Sequence, residues 1–162
     1  MTWQEILMRF VTAKGGSHFP VFVYNFEPPS NREVPTGLPS SPIIREFYKI
    51  CDGGIIDDFR ITSVSELTAL NDTWRKSLIG YYPTGLSPLG EEHLVLGTDG
   101  AGAPLVWDST RDNLSTFWFK GGDWEPLNQS FEEFLNQYLV NYAPVEDGDL
   151  WYEALTLAKS QV

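Results

Sequence analysis

The stretch LGTDGAGAPLVWD, from Leu96 to Asp108, constrains the fold most, because three glycines and two carboxylates stand there between two apolar runs. Such a segment is either a phosphate cradle or a hairpin. A phosphate loop or dinucleotide fingerprint needs its glycines to lead into a helix, whose free N-terminal amides and dipole hold the anion. Here Gly97, Gly100 and Gly102 lead into Ala103-Pro104-Leu105-Val106-Trp107, strand-forming by residue type, and no Lys-Ser/Thr pair follows. A calcium loop fares no better, since only Asp99 lies inside the turn and alternate oxygen ligands are missing. Asp99-Gly100 is a strong hairpin signal, Gly102 permits a positive φ or a bulge, and Asp99 can bond back to its own turn amides. The stretch is therefore expected to be scaffold: a β-hairpin in an antiparallel sheet.

At 162 residues, with 42% hydrophobic residues including 6 Trp, 7 Tyr and 10 Phe, the chain suits one domain, 1–162, with its own core. No run of about 18 apolar residues occurs, so no membrane-spanning helix is expected. The single cysteine, Cys51, cannot form an internal disulfide, and no basic region followed by an apolar core opens the chain. Both features lead to the expectation of a reducing cytoplasm. Charge says more: 22 acidic residues against 11 basic give −11, and residues 121–162 hold eight carboxylates against Lys159 alone. Such a surface keeps the chain soluble, repels nucleic-acid phosphates and anionic headgroups, and steers basic proteins towards itself over a Debye length of about 8 Å.

Local signals divide the chain into short elements. Thr2 and Glu5 form a capping box, and Trp3, Ile6, Leu7, Phe10 and Val11 recur at helical spacing until Gly15-Gly16. Aromatic and β-branched residues between Pro20 and Phe26 predict a strand, and the prolines of EPPSNREVPTGLP then forbid both helix and sheet, leaving a connector or flap. Ser40 or Ser41 caps a helix opened by Pro42, with Ile43, Ile44, Phe47, Tyr48 and Cys51 on one face and Gly53-Gly54 at its end. A short strand is predicted over Ile55–Ile61, and Ser63 with Glu66 predicts a second capping box before SELTALNDTWRK. Further strands are expected around Ile79–Tyr82, His93–Leu96, Ala103–Trp107, Thr116–Lys120 and Trp124–Leu127. Ser130 and Glu133 make a third capping box ahead of the stripe Phe131, Phe134, Leu135, Tyr138, Leu139 and Tyr142, closed by Pro144. A last helix is predicted from Leu150, entered from the acidic turn EDGD.

No reaction centre emerges from these residues. Two histidines and one cysteine lack the ligand count for a structural zinc, and no G-x-S-x-G elbow is present. Cys51 lies on an apolar helix face, where thiols are inert core groups. Glu91-Glu92-His93 suits solvated charges in a turn before a strand better than an acid–base cluster, and Asp57-Asp58 reads as a charged strand edge rather than a catalytic dyad. No cofactor and no metal are implied. The fold class expected is α+β, an antiparallel sheet of five or six strands covered by helices.

The order GLPSSPIIREFYKICDGG, a strand and the helix SELTAL, HLVLGTDGAGAPLVWD, then FWFKGGDWEPLNQSFEEFLNQYL resembles the SUKH superfamily, which includes the yeast cell-wall regulator family and many bacterial immunity proteins. Leu38-Pro39, a helix bearing Phe47 and Gly53-Gly54 resemble the family's entry motif. Gly97, Asp99, Gly100, Gly102 and Asp108 resemble its glycine-rich hairpin, and Phe131–Leu139 its closing helix. The resemblance covers residues 37–142. Residues 1–36 depart from it, with a strand-like VFVYNF and a proline-rich loop where a second helix is usual, and residues 143–162 add the acidic turn and terminal helix. What it implies is a non-catalytic binding protein: an immunity protein that occludes a toxin, a nuclease or other basic toxin domain, or alternatively a regulator or scaffold for an endogenous partner protein. Glu132, Glu133, Glu146, Asp147, Asp149 and Glu153 are the partner-binding candidates, with no nucleic acid and no membrane as partner.

Overall fold

The computed structural model describes residues 1–13, 24–79, 87–118 and 121–142. Its first helix, α1 (Trp3–Ala13), starts at the Thr2/Glu5 box, where the Thr2 amide donates to Glu5 Oε2 at 2.8 Å and the Glu5 amide to Thr2 Oγ1 at 3.2 Å. Trp3, Ile6, Leu7 and Phe10 are buried along one stripe, as their spacing requires. Strand β1 (Tyr24–Phe26) follows, then helix α2 (Pro42–Ile50), capped by Ser41, whose Oγ accepts the Ile44 amide at 3.2 Å. Ile44, Phe47 and Tyr48 are buried beneath it.

Residues 55–61 form a hairpin rather than the one strand expected: β2 (Gly54–Ile56) and β3 (Phe59–Ile61) pair antiparallel around a two-residue turn at Asp57-Asp58. Asp57 adopts φ +52°, a conformation Asp and Asn tolerate because their short side chains bond locally. The two carboxylates are thus a turn, not a strand edge. The expected capping box at Ser63 and Glu66 is not formed either. Ser63 Oγ lies 3.3 Å from Ser65 Oγ, a 3₁₀ turn runs over Val64–Glu66, and the Val64 amide donates at 2.9 Å to Asp52 Oδ1, a cap supplied from twelve residues upstream. Helix α3 (Leu67–Ser77) then leads to the central meander β4 (His93–Thr98), β5 (Pro104–Asp108), β6 (Asn113–Trp118) and β7 (Asp123–Pro126).

Seven strands among the described residues make one antiparallel sheet in sequence order, β1 to β7, two or one more than the five or six expected. The hairpin at Asp57-Asp58 adds one strand by splitting the single one expected over Ile55–Ile61, and the strand expected to end at Phe26 is present as β1. Ser130 and Glu133 form the expected capping box, at 2.8 and 3.1 Å, and open α4 (Phe131–Leu135), which widens into a π-helical segment over Asn136–Tyr142. Strand signals at 80–82 and 119–120, much of 20–26, and the helix from Leu150 lie outside the described residues.

The larger core lies on one face of the sheet, where Leu94, Leu96, Leu105, Trp107 and Leu114 meet buried residues of α1, α2 and α4. The opposite face carries Val95, Val106 and Phe117 with Leu78 and Leu89, backed by Leu70 and Trp74 of α3. Near-continuous apolar runs in β4 and β5, rather than strict alternation, follow from burial on both faces. The product is an α+β fold, helices on both sides of the middle of the sheet.

Because β3 pairs with β4 only at Thr98 and Gly97, the rest of that edge of β4 needs other partners. Asn71, fully buried on α3, accepts the Val95 amide at 2.8 Å and donates to the Val95 carbonyl at 3.0 Å and to the Leu67 carbonyl at 2.9 Å. One turn on, Arg75 Nη2 donates to the His93 carbonyl at 2.8 Å. Two side chains of a helix thus complete the hydrogen bonding a neighbouring strand would otherwise supply.

Candidate functional site

The glycine-rich stretch is the β4–β5 hairpin. Asp99 Oδ1 accepts the amides of Ala101 and Ala103, each at 2.9 Å, while the Asp99 amide donates to the Ala103 carbonyl and Gly102 takes φ +84°. Gly97 sits at a register shift in β4, and a Cβ there would collide with the carbonyl of Arg60 on β3. Glycine is required because the strand backbones approach so closely. Gly53 and Gly54, at φ +84° and +154°, turn the chain from α2 into β2, and a side chain at Gly54 would meet the Asn25 carbonyl. Leu38 packs half-buried against the core beside Pro39, and Phe47 lies in the core against Phe131, ring centroids 5.3 Å apart. Leu38 and Phe47 thus pack in or against the core, while Gly53, Gly54, Gly97, Asp99 and Gly102 shape its turns and close strand approaches.

Asp108 is equally committed. Its Oδ1 accepts from the Thr110 hydroxyl at 2.6 Å and from the amides of Thr110 and Arg111 at 2.8 and 3.3 Å. Partial burial pushes the Asp108 carboxyl up, but these hydrogen bonds, with His93 nearby, prevail and hold it below the ordinary carboxylate value. His93, opposite Asp108 in the ladder, accepts the Gly90 amide on Nδ1 at 2.8 Å and stacks on Trp124 at 5.2 Å. That bond uses the lone pair a general base would need, and Nε2 stands 3.9 Å from Asp108 Oδ2, too far for a hydrogen bond. Glu91 and Glu92 form the turn ahead of β4. Cys51 is fully buried, and desolvation pushes its thiol up to about 12, opposite to what a nucleophile needs. Among the described residues no group of three or more His, Cys, Asp or Glu side chains is arranged to hold a metal ion.

Of the six partner-binding candidates, two fall within the described residues, Glu132 and Glu133 in the first turn of α4. Both are exposed; Glu133 accepts the Ser130 amide, whereas among the described residues the Glu132 carboxylate takes part in no hydrogen bond or ion pair. Glu146, Asp147, Asp149 and Glu153 lie outside the described residues.

The meander assembles a surface that reading along the chain missed. In an antiparallel sheet alternate strands point the same way, so β2, β4 and β6 finish at one end. That end carries Asp57 and Asp58, the Asp99 turn, and the β6–β7 connection with Asp123. Asp58 Cβ lies 3.4 Å from where a side chain at Gly100 would begin, so the first two turns touch. Trp118, the last residue of β6 and paired with Asp123, is 39% exposed at the same end. An exposed indole beside carboxylates is suited to a cationic, partly apolar partner surface. The individual turn signals were readable, but only the strand order brings them together. Comparison with protein-family models and with curated proteins gave no match.

Proposed function

We propose that this chain is a cytoplasmic immunity protein of the SUKH type, which neutralises a bacterial toxin domain by covering its active surface, with no catalytic step of its own. The observation that carries this reading is the exposed Trp118 beside Asp123, at the end of the sheet that also carries Asp57, Asp58 and Asp99, on a chain of net charge −11. The acidic field speeds encounter with a basic partner, while a desolvated aromatic contact slows its release. Glu132, Glu133, Glu146, Asp147, Asp149 and Glu153 add to the negative charge of the chain, Glu133 through its charge alone since its side chain serves the cap. The order of the Leu-Pro entry, glycine-rich hairpin and closing helix motifs supports the family assignment, and the structural duties of Leu38, Phe47, Gly53, Gly54, Gly97, Asp99, Gly102 and Asp108 fit a binding scaffold.

The test is affinity capture of the tagged protein coexpressed with its neighbouring open reading frames, at low and moderate salt. The expected outcome is copurification of a basic protein that arrests growth when expressed alone and is silenced by coexpression, with Trp118→Ala reducing both capture and protection. Recovery of a harmless partner would assign the chain to regulation or scaffolding instead.

A further inference from the structure

The proline-rich loop after β1 is not merely a connector. It runs from Glu27 to Ser41 and is pinned at several points: the Glu27 amide donates to the Gly53 carbonyl, the Leu38 amide to the Pro35 carbonyl, and Val34 and Leu38 pack against the core. Between this loop and α2 lies a groove of about 710 Å³, within the range of ligand sites. Arg32 on the loop and Arg45 and Lys49 on the helix line it, with Glu33 the one carboxylate on its wall. These are three of the eight Lys and Arg residues within the described segments of a chain whose net charge is −11. Among the described residues none of the three forms an ion pair with a carboxylate. Such a concentration of cations in one groove, unpaired among the described residues of a protein otherwise dominated by carboxylates, needs a reason beyond solubility.

We infer that this groove binds an extended acidic peptide segment of a partner protein. Arg45 and Lys49 stand one helical turn apart, about 6 Å along the axis. Alternate side chains of an extended strand are separated by about 6.6 Å, so two carboxylates at positions i and i+2 match the pair. The opposite wall supplies Arg32, and Val34 and Leu38 offer apolar contact to a side chain between the acids. A phosphate-bearing ligand fits less well: the N-terminus of α2 is closed by Ser41 and Pro42, and the cations lie one and two turns further along. The site is independent of the acidic end of the sheet. Its occupant carries the opposite charge, so either surface can fail without the other.

The experiment uses the full-length protein and a rhodamine-labelled peptide, Gly-Leu-Glu-Leu-Glu-Leu-Gly, titrated by fluorescence anisotropy in about 150 mM salt, where distant charges are screened. Saturable binding is expected, weakened about tenfold when Gln replaces Glu in the peptide or when Arg45→Glu and Lys49→Glu are combined. Arg32→Ser, on the loop, repeats the test without touching the helix, and Glu33→Gln should tighten binding. Thermal melting verifies that each variant is folded. No saturable binding, equal affinity for the Gln peptide, or binding indifferent to Arg32→Ser and to the charge reversal overturns the inference.

Discussion

Asn71 shows how much of this structure hangs on one polar side chain. Its amide satisfies both the N–H and the C=O of Val95, and a fully buried backbone pair left without partners costs more than the bond itself. Asn71→Ala is expected to destabilise the fold by about 2–4 kcal/mol in urea unfolding, far more than an exposed substitution. A loss below about 0.5 kcal/mol would mean the β4 edge is satisfied another way. Nothing in LTALNDTWRK marks Asn71 as buried, since a single polar residue on a helix looks alike whether it meets water or a strand edge. Cys51 was legible from its place on an apolar face. Its thiol, raised to about 12, stays protonated in the folded state after the unfolded chain ionises near an ordinary value of about 8.5. The folded state then holds the extra proton, so stability falls as pH rises between those values. Tyr48, buried with its hydroxyl on the Thr62 carbonyl at 2.7 Å and also shifted upward by desolvation, acts in the same direction. The melting temperature should decline above about pH 9, less steeply in Cys51→Ala, and the native thiol should resist a disulfide reagent at pH 8. Rapid labelling of folded protein would contradict the burial.

At the scale of elements, legibility divides between local and non-local causes. α1, α2 and α4 follow from capping residues and 3.6-residue stripes, signals contained within a dozen neighbours. The Asp57-Asp58 turn was obscured because β-branched and aromatic residues on both sides read as one continuous run. Ser63 is the instructive failure. The pattern of Ser63 and Glu66 fits a capping box as well as Ser130 and Glu133 do, yet Asp52 reaches the Val64 amide from outside and the box does not close. Ser130→Ala should therefore cost about 1 kcal/mol, whereas Ser63→Ala should be nearly neutral and Asp52→Ala should carry the penalty at that helix start. Comparing the three melting temperatures decides it, and equal losses for both serines would restore the sequence-based expectation. The side of the sheet on which α3 packs was likewise invisible, since an amphipathic stripe states that a helix has a buried face but not which sheet face receives it.

For the whole molecule the controlling quantity is charge distribution, and here sequence and structure contribute different parts. Net charge and the acidic bias of residues 121–162 are properties of composition. The assembly of Asp57, Asp58, Asp99, Asp123 and Trp118 at one end is a property of the meander, and the cationic groove is a property of how a proline-rich loop packs on α2. If the acidic surface steers a basic toxin, its carboxylates act over several ångströms without needing individual contacts. Converting Glu132, Glu146, Asp147, Asp149 and Glu153 to amides removes five negative charges and takes the net charge from −11 to −6, while sparing Glu133 in its cap. Association with the captured toxin should slow about tenfold at low ionic strength, and the dependence of that rate on salt should flatten. Dissociation should change little, because release is governed by the desolvated contacts, and stability should rise slightly as self-repulsion falls. Trp118→Ala should do the reverse, leaving association nearly constant and speeding dissociation. Stopped-flow measurements at two or three salt concentrations separate the two effects. A charge-reduced variant that associates at the wild-type rate with the same salt slope would show that these carboxylates serve solubility alone, and would leave the sheet end around Trp118 as the surface to test.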